Sequence, residues 1–105
     1  MNLLDGKICI ITGGGRGIGK TTAIKFAEEG AKIVIAEFDE ESGQSTADAV
    51  GGLFVKTNVA DKGSVDALIQ STMDVYGRVD VLVNNAGILM DSTLVKMEEE
   101  QFDRV

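Results

Sequence analysis

A cluster of glycines near the amino terminus constrains this chain more than any other feature. Five glycines fall within residues 13–19, directly after an apolar run at 7–11 and directly before a helix-forming stretch. A strand that ends in glycines and turns into a helix leaves several backbone N–H groups unpaired and aimed at one point. Glycine also allows a positive φ and lets a ligand approach without an intervening Cβ. The segment therefore predicts a phosphate-binding loop.

The loop supports two interpretations, depending on where the count of glycines begins. Counted from Gly13, the glycines follow the G-x-x-x-G-x-G spacing of a dinucleotide-binding turn. Counted from Gly14, the same letters fit G-x-x-x-x-G-K-S/T, the P-loop of nucleoside triphosphate-binding proteins, with Lys20 and Thr21 in the last two places. In the P-loop Lys20 would reach the outer phosphates, whereas in the dinucleotide turn it would be an exposed helical residue. The loop by itself leaves both interpretations open.

Short apolar strands alternate with helices along the rest of the chain. Because the strands are nearly unbroken runs of Ile, Val and Leu, we expect them to be buried on both faces, as in a parallel sheet. Right-handed winding then predicts an α/β fold: a truncated three-layer, Rossmann-type doubly wound parallel sheet with strand order 3-2-1-4. The predicted strands are 7–11, 32–36, 53–55 and 79–83, and the predicted helices are 17–29, 40–50 and 62–76.

Residues that favour helix ends support these boundaries. Gly30 is expected to end the first helix and Gly77 the third, while Ser64 is expected to serve as an N-cap near the start of the third. Residues 94–105 resemble the beginning of a further helix, with three glutamates suited to its first turn.

The composition limits which partners the chain can bind and which catalytic or metal-binding chemistry it can perform. The length of 105 residues allows one domain at most, and a net charge of −7 without a run of Lys or Arg argues against a nucleic-acid partner. No apolar stretch approaches a membrane span and the start lacks a signal-peptide pattern, so we expect a cytoplasmic protein without a membrane partner. The sequence has no His and one Cys, Cys9, inside the first strand, which excludes His-based catalysis and Cys/His zinc sites. No metal ligand is predicted.

Acidic residues at the strand ends favour the dinucleotide interpretation. A P-loop enzyme needs an acid at the carboxyl end of a neighbouring strand to position magnesium, but the fourth strand ends in the amides Asn84 and Asn85 and carries Asp80 at its amino end. Glu37 is the one well-placed acid. An acid about 20 residues beyond the glycine motif, at the end of the second strand, accepts hydrogen bonds from the ribose hydroxyls of a dinucleotide.

Glu37 also favours NAD over NADP. Its carboxylate would repel a 2′-phosphate by about 4 kcal/mol for each like-charge pair at about 4 Å and an effective dielectric near 20. Arg16 is the opposing feature, because a guanidinium beside the loop could turn toward a 2′-phosphate. We therefore predict NAD as the cofactor, with NADP as the alternative.

Two motifs together resemble the cofactor half of the short-chain dehydrogenase/reductase family. They are Thr-Gly-Gly-Gly-Arg-Gly-Ile-Gly at 12–19 and Asn-Asn-Ala-Gly at 84–87, and the resemblance extends through 77–83 to 102–105. It implies that the loop glycines shape the pyrophosphate site and that 85–87 border the nicotinamide ribose. The cofactor-binding residues predicted in this way are Gly13, Gly15, Arg16, Gly17, Ile18, Gly19, Glu37, Asn58, Val59, Asn85, Ala86 and Gly87.

Two asparagines leave finer questions open. Asn58 stands where the family usually has an aspartate that contacts adenine, so we expect a weakened contact in which the amide oxygen still accepts from the adenine amino group. The side chain of Asn84 either contributes to the site or ties adjacent loops together through hydrogen bonds.

The resemblance also implies a catalytic tyrosine with a lysine four residues later. The only tyrosine is Tyr76, which is followed four positions later by Asp80 and lies at the end of the third helix, so we expect it to be a packing residue. The family's Ser, Tyr and Lys would all fall beyond Val105. No catalytic residue is therefore predicted, and residues 1–105 are expected to form a partial, inactive Rossmann domain without its catalytic half.

These observations favour one function and keep two alternatives. The favoured one is the NAD(P)-binding portion of an oxidoreductase that interconverts an alcohol and a ketone, for example a 3-oxoacyl-ACP reductase-like enzyme. The alternatives are a stand-alone dinucleotide-binding module and a nucleoside triphosphate binder that uses residues 14–21. A sheet that stops at its fourth strand has a bare edge, so a homo-oligomer that covers this strand or the last helix is also expected.

Overall fold

Four parallel strands alternate with three helices in residues 3–85, the part of the chain that the computed structural model describes. The strands are β1 (Ile8–Thr12), β2 (Lys32–Glu37), β3 (Leu53–Lys56) and β4 (Val81–Asn84). The helices are α1 (Gly17–Glu28), α2 (Glu40–Val50) and α3 (Lys62–Tyr76). The helix predicted at 94–105 lies outside the described residues.

The strands hydrogen-bond in the order β3-β2-β1-β4, and every pair is parallel. The predicted α/β Rossmann-type sheet with order 3-2-1-4 is therefore confirmed. None of the helices in residues 3–85 is both long and apolar enough to cross a membrane.

β1 is buried along its whole length because it lies between two strands and two layers of helix. Ile10 faces the side covered by α3, where Leu68 packs, while Cys9 and Ile11 face the side covered by α1 and α2. The small residues Ala23 and Ala47 are fully buried on that second side, which allows both helices to lie close to the sheet. The three layers follow from the unbroken apolar strands.

Glycines and one aspartate set most helix ends. Gly51 and Gly77 end α2 and α3 in the left-handed region, with φ of 66° and 79°. Gly30 has a φ of 95° and follows Glu29, which occupies the C-cap of α1. The carboxylate of Asp39 caps α2 by accepting the Ser42 N–H at 3.3 Å.

The N-cap predicted for α3 was wrong by one turn. Asp61 occupies the cap position, and Ser64 lies inside the helix. The Ser64 hydroxyl accepts the backbone N–H of Asn58 at 2.8 Å, so it binds the loop that precedes the helix. Sequence spacing alone does not distinguish an N-cap residue from a residue that lies one turn inside the helix and hydrogen-bonds to the preceding loop.

Asp80 joins the amino ends of β1 and β4. Its Oδ2 accepts the Ile8 N–H at 2.8 Å, its own N–H donates to the Ile8 carbonyl at 2.9 Å, and its Oδ1 accepts from Nε of Arg78 at 3.0 Å. Burial acts to raise the pKa of this carboxyl, but the hydrogen bonds from Arg78 and Ile8 and the Arg78 charge outweigh burial and hold the pKa below its usual value. Asp80 thus stabilises the end of the sheet opposite the glycine loop.

Asp80→Asn is expected to lower the free energy of unfolding by about 1–2 kcal/mol near neutral pH, because it removes the charged partner of Arg78 and Ile8. A carboxyl whose pKa is lowered by folding stabilises the fold above its unfolded pKa, about 3.9, and this stabilisation is lost as the pH falls through the lower folded value. Denaturant titrations from about pH 7 down to about pH 3 should therefore show the difference from wild type shrinking only in the acid range.

Asp74→Asn is the control for this experiment, because Asp74 is exposed on α3. A difference between Asp80→Asn and wild type that stays constant across the whole pH range would contradict the assigned role.

Candidate functional site

The glycine loop, residues 13–19, connects β1 to α1 at the carboxyl end of the sheet. Gly13 and Gly17 have φ of 65° and 59°, in the left-handed region that favours glycine. Gly19 is buried in the first turn of α1, where an added Cβ would lie 2.1 Å from the Gly13 carbonyl oxygen. These three positions need glycine for the shape of the loop itself.

The start of α1 offers free backbone donors within the described structure. Arg16 occupies its N-cap and makes no side-chain capping hydrogen bond there. The first N–H groups of a helix have no partner inside the helix, and together with the helix dipole they attract an anion. The geometry therefore suits a phosphate group in front of this helix.

Glu37, at the end of β2, is bonded directly to the loop. Its Oε1 accepts the Gly15 N–H at 3.1 Å, and its Oε2 accepts the Asp39 N–H at 3.1 Å. A Cβ at Gly15 would lie 2.4 Å from Oγ of Ser42 and 2.8 Å from Oε1 of Glu37, so both side chains would have to shift to admit it. The structure thus brings together two of the predicted residues, Gly15 and Glu37.

A cavity of about 260 Å³ opens beside Glu37, at the carboxyl ends of the strands. Four of its lining residues were predicted from the sequence, and they are Gly13, Glu37, Asn58 and Val59. Three further residues, Ala36, Phe38 and Thr57, complete the lining. The predicted strand-end residues therefore meet around one space.

Sequence reasoning missed Phe38, although its place directly after the strand-end acid was a usable signal. The ring is 63% exposed, which is unusual for a phenylalanine, and it forms part of the cavity wall. Nζ of Lys56 lies 5.3 Å from the centroid of this ring and 3.5 Å from Oε1 of Glu40. One wall of the cavity is thus aromatic, with a cation beside it.

The Asn58 side chain turns back on its own loop. Its Oδ1 accepts the Ala60 N–H at 3.0 Å, while its backbone N–H donates to Ser64. An adenine amino group would have to share this oxygen with Ala60. The weakened adenine contact of Asn58 stays a prediction, and the hydrogen bond to Ala60 is a second feature that would weaken it.

Thr12 links the loop to the end of β4. Its hydroxyl lies 3.3 Å from the Val83 carbonyl and 3.2 Å from Oδ1 of Asn84, and it accepts the Asn85 N–H at 2.9 Å. Asn84 therefore has a structural role, since its amide ties β4 to β1. Nδ2 of Asn85 donates to the Gly13 carbonyl at 3.4 Å, which places this residue against the loop. Thr12 begins the glycine motif, but no role in the site was predicted for it.

The remaining predicted residues are exposed or lie outside the described chain. Arg16 is exposed, as is Ile18 with 76% of its surface accessible. Hydrogen bonding from Ser42, and to a smaller extent the charge of Arg16, lowers the pKa of Asp39. Ala86 and Gly87 lie outside the described residues.

Cys9 and Tyr76 are both packed in the core, and for Tyr76 this confirms the packing role expected from the sequence. Cys9 is a free, fully buried thiol, and burial, reinforced by the Asp80 charge, raises its pKa to about 11. Tyr76 packs against the core on the α3 side of the sheet. Within residues 3–85 no group of three or more His, Cys, Asp or Glu is placed to hold a metal ion.

The fold and the loop define a Rossmann-type α/β protein, and comparison with known proteins gives its family. The family model described as short chain dehydrogenase matches residues 7–105. The chain therefore belongs to the short-chain dehydrogenase family.

Similar proteins include two from Thermotoga maritima. The chain is 45% identical over 108 residues to an uncharacterized oxidoreductase and 42% identical over 107 residues to a 3-oxoacyl-(acyl-carrier-protein) reductase. These alignments cover 98% and 97% of this chain but only 42% and 44% of the relatives, so the chain spans less than half of their length.

A solved structure likewise matches nearly all of this chain but less than half of its own length. The crystal structure of 3-ketoacyl-(acyl-carrier-protein) reductase from Brucella melitensis complexed with NADH matches with a TM-score of 0.78 and 38% identity. The match covers 97% of this chain and 43% of that chain.

Gly19→Ala is expected to destabilise the chain by about 1–3 kcal/mol, because the added methyl group would overlap the Gly13 carbonyl in a packed turn. Gly63→Ala is the matched control: it lies in the first turn of α3, where the nearest atoms to an added Cβ are 3.9 Å away. That control should be neutral or stabilising by up to about 1 kcal/mol, since Ala is the better helix former. Denaturant unfolding measures both, and equal stability of the two variants would contradict the close approach at Gly19.

Proposed function

We propose that this chain binds NAD(H), with the glycine loop holding the pyrophosphate and Glu37 accepting hydrogen bonds from the ribose of the adenosine half. The position of the Glu37 carboxylate is the main support for this proposal. It accepts the Gly15 N–H at 3.1 Å and lines the cavity at the strand ends. A carboxylate is acceptor-only and suits two ribose hydroxyls, whereas free helix N–H groups suit phosphate. The chain supplies both, side by side.

Charge around Glu37 supports NAD over NADP. Asp39 and Glu40 follow Glu37 closely, so a 2′-phosphate would enter a region that holds three carboxylates. A like-charge pair at about 4 Å costs on the order of 4 kcal/mol at an effective dielectric near 20. Arg16 and Lys56 are the nearby cations, and Lys56 is paired with Glu40.

The nucleoside triphosphate alternative has less support. Lys20 is exposed on α1, and the Gly15 N–H, which a P-loop would offer to phosphate, is bonded to a carboxylate. The Glu37 carboxylate would repel a triphosphate bound at this loop unless a metal ion offset the negative charges. The end of β4 carries Asn84 in place of the acid that would position that ion.

For the whole protein we propose an NAD-dependent oxidoreductase that interconverts an alcohol and a ketone. The family membership and the names of the relatives support this proposal, including a reductase of 3-oxoacyl-(acyl-carrier-protein) as one substrate class. We also propose that residues 1–105 are part of one Rossmann domain. Because their single tyrosine is packed, we expect binding without turnover. If these residues act alone, they form a dinucleotide-binding module.

Self-association and a cytoplasmic location remain predictions from the sequence. β4 is an outer strand of the described sheet, and its apolar residues are only half-buried. An open strand edge with apolar side chains is a surface that proteins usually cover.

Calorimetry of the purified chain with NADH, NADPH and Mg-ATP tests the proposal, with Glu37→Ala as the main variant. NADH should bind tightest to the wild type, and the variant should lose about tenfold or more in affinity for NADH relative to NADPH, because hydrogen bonds to a charged acceptor are lost. Glu41→Ala is the control for charge alone, since Glu41 is exposed on α2 and does not line the cavity.

Two results would overturn parts of this proposal. Tighter binding of Mg-ATP than of NADH, abolished by Lys20→Ala, would establish the P-loop alternative. An unchanged NADH to NADPH ratio in Glu37→Ala, or an equal change in Glu41→Ala, would remove the basis for the NAD preference.

A further inference from the structure

Thr46 directs its hydrogen bond out of its own helix and onto the glycine loop. The residue lies on α2 and is fully buried. Its Oγ1 donates to the carbonyl oxygen of Gly15 at 3.3 Å, and Gly15 lies 31 positions earlier in the chain. A buried hydroxyl thus reaches the segment where the proposed cofactor binds.

The other helical threonines in residues 3–85 behave differently. Their hydroxyls donate to the carbonyl four residues earlier in the same helix, at 2.8 to 3.2 Å, and the residues are Thr21, Thr22 and Thr72. This local bond is the usual one for a threonine inside a helix. Thr46 therefore has a different hydrogen-bond partner because α2 lies close to the loop, and not because of a general preference of threonine in helices.

Gly15 is consequently bound on both sides. Its N–H donates to Oε1 of Glu37, and its carbonyl accepts from Thr46. Oγ of Ser42, one turn before Thr46, fills the place that a Gly15 side chain would occupy. The backbone at Gly15 has little freedom to rotate while these contacts persist.

Gly43 explains how α2 comes close enough for this contact. An added Cβ at this position would lie 2.2 Å from the Phe54 ring and 3.0 Å from Cβ of Glu37. A glycine inside a helix costs stability relative to alanine, and here it allows close packing against the ends of β2 and β3. The same packing brings Thr46 to the loop.

We infer that Thr46 is a positioning residue for cofactor binding: it fixes the Gly15 carbonyl so that the loop presents its N–H groups and Glu37 to one ligand. The inference rests on the proposed NAD(H) binding. A loop that is held in its binding conformation binds more tightly than one that must be ordered, since the apparent affinity falls with the fraction of competent molecules. Loss of the Thr46 hydroxyl should therefore weaken binding without any loss of a ligand contact.

Thr46→Val tests this inference, with Thr46→Ser as the conservative variant. Thr46→Val keeps the shape but removes the donor, and we expect the Kd for NADH to rise about tenfold, the factor that one ordinary hydrogen bond supplies. Thr46→Ser keeps the hydroxyl and should stay within about threefold of wild type. Should Thr46→Val fail to fold, Thr46→Cys replaces it, because a thiol is only a weak donor.

Thr72→Val is the matched control. Thr72 is also a fully buried helical threonine, but it lies on α3, and its hydroxyl bonds to Leu68 in the same helix. The control loses the same hydroxyl far from the loop, so it should alter stability and leave the Kd for NADH within about twofold of wild type.

Amide hydrogen exchange of Gly15, measured by NMR without ligand, separates this inference from the proposed function. In Thr46→Val the Gly15 amide should exchange about tenfold faster, while Thr46→Ser and Thr72→Val should leave it near wild type. Unchanged exchange in Thr46→Val, an unchanged Kd, or an equal effect of Thr72→Val would overturn the inference. A wild-type chain that does not bind NADH would instead overturn the proposed function, and the exchange rates would still decide whether Thr46 holds the loop.

Discussion

The hydrogen bond between Glu37 and Gly15 is the contact on which the candidate site depends, and the parallel sheet makes it possible. β1 and β2 pair in a register that sets Thr12 opposite Ala36, and the Gly13 N–H continues the pairing by donating to the Ala36 carbonyl at 2.8 Å. The next residue of β2, Glu37, therefore arrives beside the loop that follows β1. The acid at the end of one strand and the N–H groups of the loop after its neighbour therefore lie close enough to contact two parts of the proposed ligand.

Close packing of α2 against the loop surrounds this contact. Ser42 and Phe54 lie where a Cβ at Gly15 or Gly43 would be, so a side chain at either position would displace them. Small residues at these two points allow a helix, a strand end and a loop to meet, and a buried hydroxyl then binds the loop carbonyl. A helix that has no predicted ligand contact is thereby bonded to the loop that the proposed cofactor would contact.

Much of the fold and part of the site could be predicted because they follow from short-range patterns. Apolar runs predicted the strands and glycine spacing predicted the loop. The rule that ligands bind at the carboxyl ends of parallel strands indicated Glu37. Thr46 could not be found in this way, since the direction of its hydrogen bond depends on how α2 packs against the loop. Ser64 was misplaced for a similar reason, because its partner lies in the preceding loop. Gly43 was a usable signal, as a glycine inside a helix indicates close packing.

The most direct test of the central claim is an NMR titration of the isotope-labelled chain with NADH, because it reports where on the chain a ligand binds. We expect the largest amide shifts in residues 13–19 and at Glu37, Asn58 and Val59, which form the loop and part of the cavity wall. Shifts confined to other surfaces, or shifts at the loop with Mg-ATP and none with NADH, would contradict the central claim.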